Sequence, residues 1–162
     1  MFEILLDNRD GTIWDISGLT TGLNWKTSRI AKPSSLELTM IKGGLFQSDS
    51  FRYEPGAVLR IRYEQRPVFY GYVFTVEQGK DESVRITAYD QLRYWLDSDT
   101  YVFGEETATE IISRIARDLG SKTGVLEDTR LKLPPMAEDN RKLLDIALKA
   151  LDRTLIAGGG NY

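Results

Sequence analysis

The sequence predicts a mainly β protein with an α+β appendage: a small antiparallel β-barrel over residues 1–100, followed by a two-helix segment over residues 101–162. Three observations predict it. Apolar and polar residues alternate in three separate segments of the first hundred residues, as half-buried antiparallel strands require. Turn-forming clusters with no helical pattern separate those segments, which suits a small barrel or sandwich. Beyond residue 104 the apolar period changes from that of a strand to that of a helix.

Taken in order, a first strand is predicted over Phe2–Leu6 and a second over Thr12–Trp14, joined by the turn Asn8-Arg9-Asp10-Gly11. Within LNWKTSR, Trp25 fits the inner face of a strand together with Leu23. In residues 34–41, Leu36, Leu38 and Met40 alternate with Glu37 and Thr39. In residues 57–63, Leu59, Ile61 and Tyr63 face one way and Arg60 and Arg62 the other. Glu64-Gln65-Arg66-Pro67 closes a hairpin into the next strand, and Gly79-Lys80-Asp81-Glu82 closes the one after it. In residues 83–89, Val84, Ile86 and Ala88 alternate with Arg85 and Thr87. Leu36, Leu38, Leu59, Ile61, Val84 and Ile86 should therefore share one interior. After AYDQLRY a short helical turn is expected, with Trp95 plugging one end of the barrel.

The stretch GEETATEIISRIARDLG, residues 104–120, predicts the first helix. Thr107 and Glu110 have capping-box spacing, Ile111, Ile112, Ile115, Ala116 and Leu119 line one face, and Gly120 sits where a helix stops. A second helix is predicted over about 140–155, with Leu143, Leu144, Ala147, Leu148, Ala150 and Leu151 on its apolar side, after a loop broken by Pro134-Pro135. The final IAGGGNY reads as a turn cut off before its next strand, so the appendage is expected to be the start of a truncated insertion domain.

One stretch, VFYGYVF at residues 68–74, would be apolar on both faces of a strand: Val68, Tyr70, Tyr72 and Phe74 on one, Phe69, Gly71 and Val73 on the other. Its second face needs a cover. The helices, a second sheet or another subunit could each supply it, and the residues alone favour cover within the chain. Gly71 marks a bend or a close backbone approach. The candidate interface on this reasoning is Phe69, Tyr70, Gly71, Tyr72 and Val73, with Trp95 beside them.

Composition bounds the chemistry. The chain has no cysteine and no histidine, which removes thiolate chemistry, the usual general base near neutral pH and the commonest transition-metal ligands. No catalytic residue, cofactor or metal site is expected, and a stoichiometric zinc or iron content would overturn that. Asp7, Asp10 and Gly11 have the look of a calcium loop but lack its remaining oxygen ligands, so a hairpin turn explains them. Gly158–Gly160 is followed by no lysine and serine, so it is a linker and not a phosphate loop. The carboxylate pairs Asp97/Asp99 and Glu105/Glu106 sit in polar, turn-like sequence, where solvated charge outweighs a glycosidase pair. Arg60, Arg62 and Arg66 lie near aromatics, but net charge is −3 and acidic residues match basic ones along the chain, so specific nucleic-acid binding is not expected. No apolar run reaches the roughly 20 residues of a membrane helix, so no membrane insertion is expected.

The run GAVLRIRYEQRPVFYGYVFTVEQGKDESVRITAYDQLRYW, followed by DTYVF, TATEIISRIA and EDNRKLLDIALKAL, resembles the XkdQ/YqbQ family of contractile-tailed phages and PBSX-like defective prophages. DNRDGTIWDIS and WKTSRIAKPSSLELT match its style as well. FYGYVF and ITAYDQLRYW are the most specific pieces. The resemblance implies a tail-tube-like barrel over residues 1–100 and the start of an insertion domain over residues 101–162. It implies a structural baseplate hub, not an enzyme, that joins a hexameric tail tube to a trimeric spike. It further implies a homo-oligomer, a trimer in the full-length protein, with tail tube and spike or baseplate proteins as partners. The place would be the virion tail or baseplate, after synthesis in the bacterial host cytoplasm. On that reading a neighbouring subunit covers VFYGYVF. The other reading is a β-barrel module that binds cell-wall carbohydrate.

Overall fold

A computed structural model gives the fold for residues 1–28, 32–43, 48, 50–79 and 81–160. Arg29–Ala31 in the WKTSRIAKPSSLELT stretch, Lys80 of the predicted turn and the final Asn161-Tyr162 lie outside these described residues. The chain divides into two compact units, Met1–Arg93 and Tyr94–Tyr162.

The first unit is one antiparallel sheet of seven strands: β1 (Phe2–Asp7), β2 (Ile13–Asp15), β3 (Thr20–Lys26), β4 (Ser35–Ile41), β5 (Val58–Tyr63), β6 (Arg66–Gln78) and β7 (Ser83–Tyr89), in the order β2-β1-β5-β6-β7-β4-β3. The register pairs Ile4 with Ile61, Asp7 with Val58, Leu38 with Ile86 and Ile41 with Ser83. Pairing in this register puts every alternating apolar set on one face. Leu36, Leu38, Leu59, Ile61, Val84 and Ile86 share one buried cluster with Ile4, Leu6, Met40, Phe69 and Val73, so the predicted interior is borne out. The β5–β6 hairpin turns on Glu64 and Gln65, at φ 48° and 67°. Both lie in the left-handed region, as a two-residue hairpin requires, although neither is glycine.

The edge strands explain how the sheet curls. Seven flat strands would hold β2 and β3 about 29 Å apart. The segment from Asp15 to Thr20 reaches at most ~18 Å, so the sheet must bend until its two edges come near each other. β2 and β3 run in the same direction, as one strand bent at the 3₁₀ turn Ser17–Leu19. Before the bend it pairs with β1; after it, with β4. At the bend, Ile16 N–H donates to the Ile4 carbonyl (2.9 Å) and Ile4 N–H to Ser17 Oγ (2.8 Å). Among the described residues no ladder joins β2 to β3, so the closed barrel expected from the sequence is not found. One strand is shared between two neighbours and cannot pair with both along its whole length.

The second unit holds β8 (Ser98–Phe103), α1 (Ala108–Asp118), β9 (Met136–Lys142) and α2 (Leu143–Ile156), with β8 and β9 paired antiparallel. The sequence reading put the boundary at residue 100; it falls at Arg93/Tyr94 because β8 pairs with β9 and belongs to the second unit. Helix α1 starts on the predicted capping box: Thr107 Oγ1 accepts from Glu110 N–H, and the Glu110 carboxylate accepts from Thr107 N–H. It stops at Gly120 (φ 63°), where Gly120 N–H reaches the Arg117 carbonyl and Ser121 N–H the Ala116 carbonyl, the paired bonds of a Schellman ending. The second helix begins at Leu143 and not near 140, because Asn140, Arg141 and Lys142 complete β9.

A candidate interface on the outer face of the central strand

β6 carries VFYGYVF, and the two faces of that strand have different surroundings. Phe69, Gly71 and Val73 point into the core and are buried. Gly71 is required there. A Cβ at this position would run into the Tyr89 carbonyl oxygen and come within 2.6 Å of the Phe69 ring. A bulge between Val73 and Thr75 then resets the strand so that Val76 faces inward again.

Tyr70, Tyr72 and Phe74 point outward. Tyr70 and Tyr72 meet edge to face at 6.0 Å, and Phe74 meets Tyr89 at 5.2 Å. Three guanidinium groups lie over these rings: Arg60 over Tyr70 at 5.9 Å, Arg9 over Tyr72 at 5.1 Å, and Arg93 over Phe74 at 5.7 Å and Tyr89 at 5.6 Å. Arg60 is held by Asp7 at 2.6 Å. The outer face thus has a cover from its own unit, made of arginine stems and planar cations lying on π faces. Each such contact contributes roughly 0.5–1 kcal/mol at an exposed site. The cover is partial, because Tyr70 is 47% exposed.

Four of the six residues singled out from the sequence are therefore buried inside their own units. Phe69, Gly71 and Val73 belong to the core of the first. Trp95 belongs to the second, where its indole N–H donates to Ser121 Oγ (3.1 Å). Tyr70 and Tyr72 alone present an outward surface. Trp25 lies on the inner side of β3 with Leu23 but is 45% exposed, because no other described strand pairs with β3 on its far side. Arg9, a turn residue, and Arg93, beyond the end of β7, gave no sequence signal as covering groups.

The carboxylates stay in solvent or in structural pairs. Asp97, Asp99 and Glu105 are exposed, and Glu106 pairs with Arg114 at 3.6 Å. Asp7 and Asp10 accept from the Arg9 and Thr12 N–H groups of their own turn. In the second unit Glu138 is buried and paired with Lys149. Tyr101 stacks on Phe103 at 5.3 Å beneath the Arg114 guanidinium, and its hydroxyl donates to Asp118 at 3.0 Å.

Burial, with the Asp118 carboxylate beside it, pushes the Tyr101 phenol up to about 12 from 10.0. A raised phenol stabilises the fold fully below its unfolded value of 10.0, and that contribution is lost as pH rises through about 12. A Tyr101→Phe variant should therefore lose less stability than the parent between those two pH values, read as urea midpoints at each pH. Parallel loss in both proteins would mean that this hydroxyl is not what titrates.

Comparison with known proteins places this fold. It is similar to the 43 kDa tail protein of prophage MuSo2 from Shewanella oneidensis, with a TM-score of 0.71 at 20% identity, over 93% of this chain and 48% of that one. It is also similar to a tail protein from Neisseria meningitidis MC58, with a TM-score of 0.64 at 8% identity, over 93% of this chain and 45% of that one. The class is thus a mainly antiparallel β fold that occurs in solved tail proteins. Residues 23–162 match the family described as YqbQ-like, and the chain belongs to that family. It is 33% identical to YqbQ of Bacillus subtilis (strain 168) over 109 residues, 66% of this chain and 33% of that protein. It is 30% identical to XkdQ of the phage-like element PBSX from the same strain over 138 residues, 83% of this chain and 41% of that protein. The chain spans between a third and about two fifths of the length of these curated relatives.

Proposed function

We propose that this chain is a structural part of a phage or phage-like tail, the first portion of a baseplate hub that joins a hexameric tail tube to a trimeric spike. The observation that carries the reading is the fold shared with two tail proteins, together with kinship to a protein of the phage-like element PBSX. The curled sheet then acts as the barrel unit of the hub, placed side by side with its neighbours in a homo-oligomer. The chain does no chemistry of its own and resides in the virion tail or baseplate after synthesis in the host cytoplasm. Gold-labelled antibody against it should decorate one end of isolated tails. Label along the whole tube would sink the hub assignment. Label on the cell wall and none on tails would favour the carbohydrate-binding reading.

The outer face of β6 is the proposed subunit interface, through Tyr70 and Tyr72. Association should bring a neighbour onto the exposed Tyr70 ring and the arginines beside it. In sedimentation velocity the chain should self-associate with rising concentration. Tyr72→Lys should weaken that association about tenfold, roughly 1.4 kcal/mol, beyond the loss of about 1 kcal/mol in monomer stability expected from removing its Arg9 contact. A strictly monomeric parent chain would remove this face from the proposal.

A further inference from the structure

The first unit contains an unfilled seam. After Ser17 the bent strand leaves β1 to follow β4, so β3 and the start of β1 stand on opposite sides of a gap. The backbone groups of Thr21–Lys26 that face away from β4 have no hydrogen-bond partner among the described residues. Across the gap, Ile4 turns its N–H and carbonyl away from β5, towards Ser17 and Ile16, and the two-residue period gives the Phe2 backbone the same direction. Beneath lies a cavity of about 600 Å³, lined by residues that include Phe2, Leu23, Trp25, Tyr63, Val68 and Phe69, and among the described residues no charged side chain lines it. Phe2, Trp25 and Tyr63 are each nearly half exposed.

We propose that this seam accepts an extended segment of another polypeptide as an added strand, lying between β3 and Phe2 with its alternate, apolar side chains in the cavity. The backbone chemistry selects the occupant. A row of donors and acceptors along β3 that no described residue engages is satisfied by another extended backbone, whereas a lipid or other apolar small molecule would leave it bare. The uncharged lining requires uncharged inward side chains, since burying a charge there would be costly. Phe2 and Ile4 of β1 and Leu23 and Trp25 of β3 line the same cavity, an arrangement that suits a lone strand better than the edge of a second folded copy, which brings its own sheet. β3 is seven residues long, and a segment of about that length would span it, with every second side chain inward. This inference is independent of the tail assignment.

The test is a titration of the 162-residue chain with a peptide that alternates threonine and valine over the length of β3 and carries a lysine at each end. Calorimetry should show saturable binding, and amide exchange within Thr21–Lys26 should slow about tenfold or more. A control peptide with serine for valine should bind at least about tenfold more weakly, as should peptides N-methylated at alternate residues in either frame. Trp25→Asp should weaken binding to a similar degree; because the half-exposed ring also covers part of the cavity, variant and parent are compared well below both unfolding midpoints. Absence of binding overturns the proposal, as does equal binding of the valine and serine peptides. Binding that leaves the β3 amides unprotected, or that survives N-methylation, overturns it by pointing to a pocket for apolar groups alone. Protection of β3 that grows with chain concentration and without peptide overturns it in favour of a second copy.

Discussion

Replacing Gly71 with valine should abolish cooperative folding of the first unit, or cost at least about 3 kcal/mol if folding survives. The position is closed on both sides. A side chain there meets the Tyr89 carbonyl oxygen of the neighbouring strand and the ring of Phe69, two residues back on the same face. Phe69 is itself buried, so the ring cannot swing into solvent, and the carbonyl belongs to a strand paired on both edges. Gly71→Ala should fall between parent and valine, which separates overlap from a backbone effect: φ at this glycine is not in the left-handed region, so an added methyl costs only through what it touches. Urea unfolding followed by tryptophan fluorescence measures all three. A valine variant as stable as the parent would mean that β6 and β7 do not approach each other as described.

Ile61→Ala should cost about 2–5 kcal/mol, the usual range for truncating a buried aliphatic side chain. Ile61 is 1% exposed, lies opposite Ile4 on one neighbour and Phe69 on the other, and belongs to the shared core. Arg62→Ala, one residue on, is the internal control. Arg62 is exposed and its only ion pair among the described residues is a 3.4 Å contact with Glu3, so the change should stay within about 0.5 kcal/mol. Equal costs at the two positions would mean that the register of β5 is shifted by one residue, since such a slip exchanges the faces.

Much of the fold was legible because the strands of the first unit bury one face each. In β4 and β7 the alternation of Leu36/Leu38/Met40 and Val84/Ile86/Ala88 coincides with the buried set, and in β5 Leu59 and Ile61 follow it while Val58 is buried outside that cluster. Helix α1 was legible from its cap, its apolar face and Gly120. The strands β8 and β9 were not. Only Met136 and Glu138 of MAEDNRK are buried, and a buried glutamate neutralised by Lys149 leaves no apolar alternation to read. The candidate site was legible only in part. The sequence marked VFYGYVF as apolar on both faces, but the cover of the second face comes from Arg9, Arg60 and Arg93. Residues so far apart in the chain, one of them in a turn, meet only through sheet order, which no local pattern records.

The register also sets a schedule for synthesis. Asp7 finds its β5 partner at Val58, and Ile41 finds its β7 partner at Ser83. At about 5–20 residues per second, the interval between finishing β4 and starting β7 is roughly 2–8 s on the ribosome. Throughout that interval β4 can pair with β3 but not with β7, so Leu36, Leu38 and Met40 lack the part of the core that Val84, Ile86 and Ala88 supply. A nascent chain that pauses between residues 42 and 82 therefore presents an apolar strand to its surroundings. Codon choice in that window and the supply of holding chaperones should bear on soluble yield more than the same changes made downstream of Tyr89.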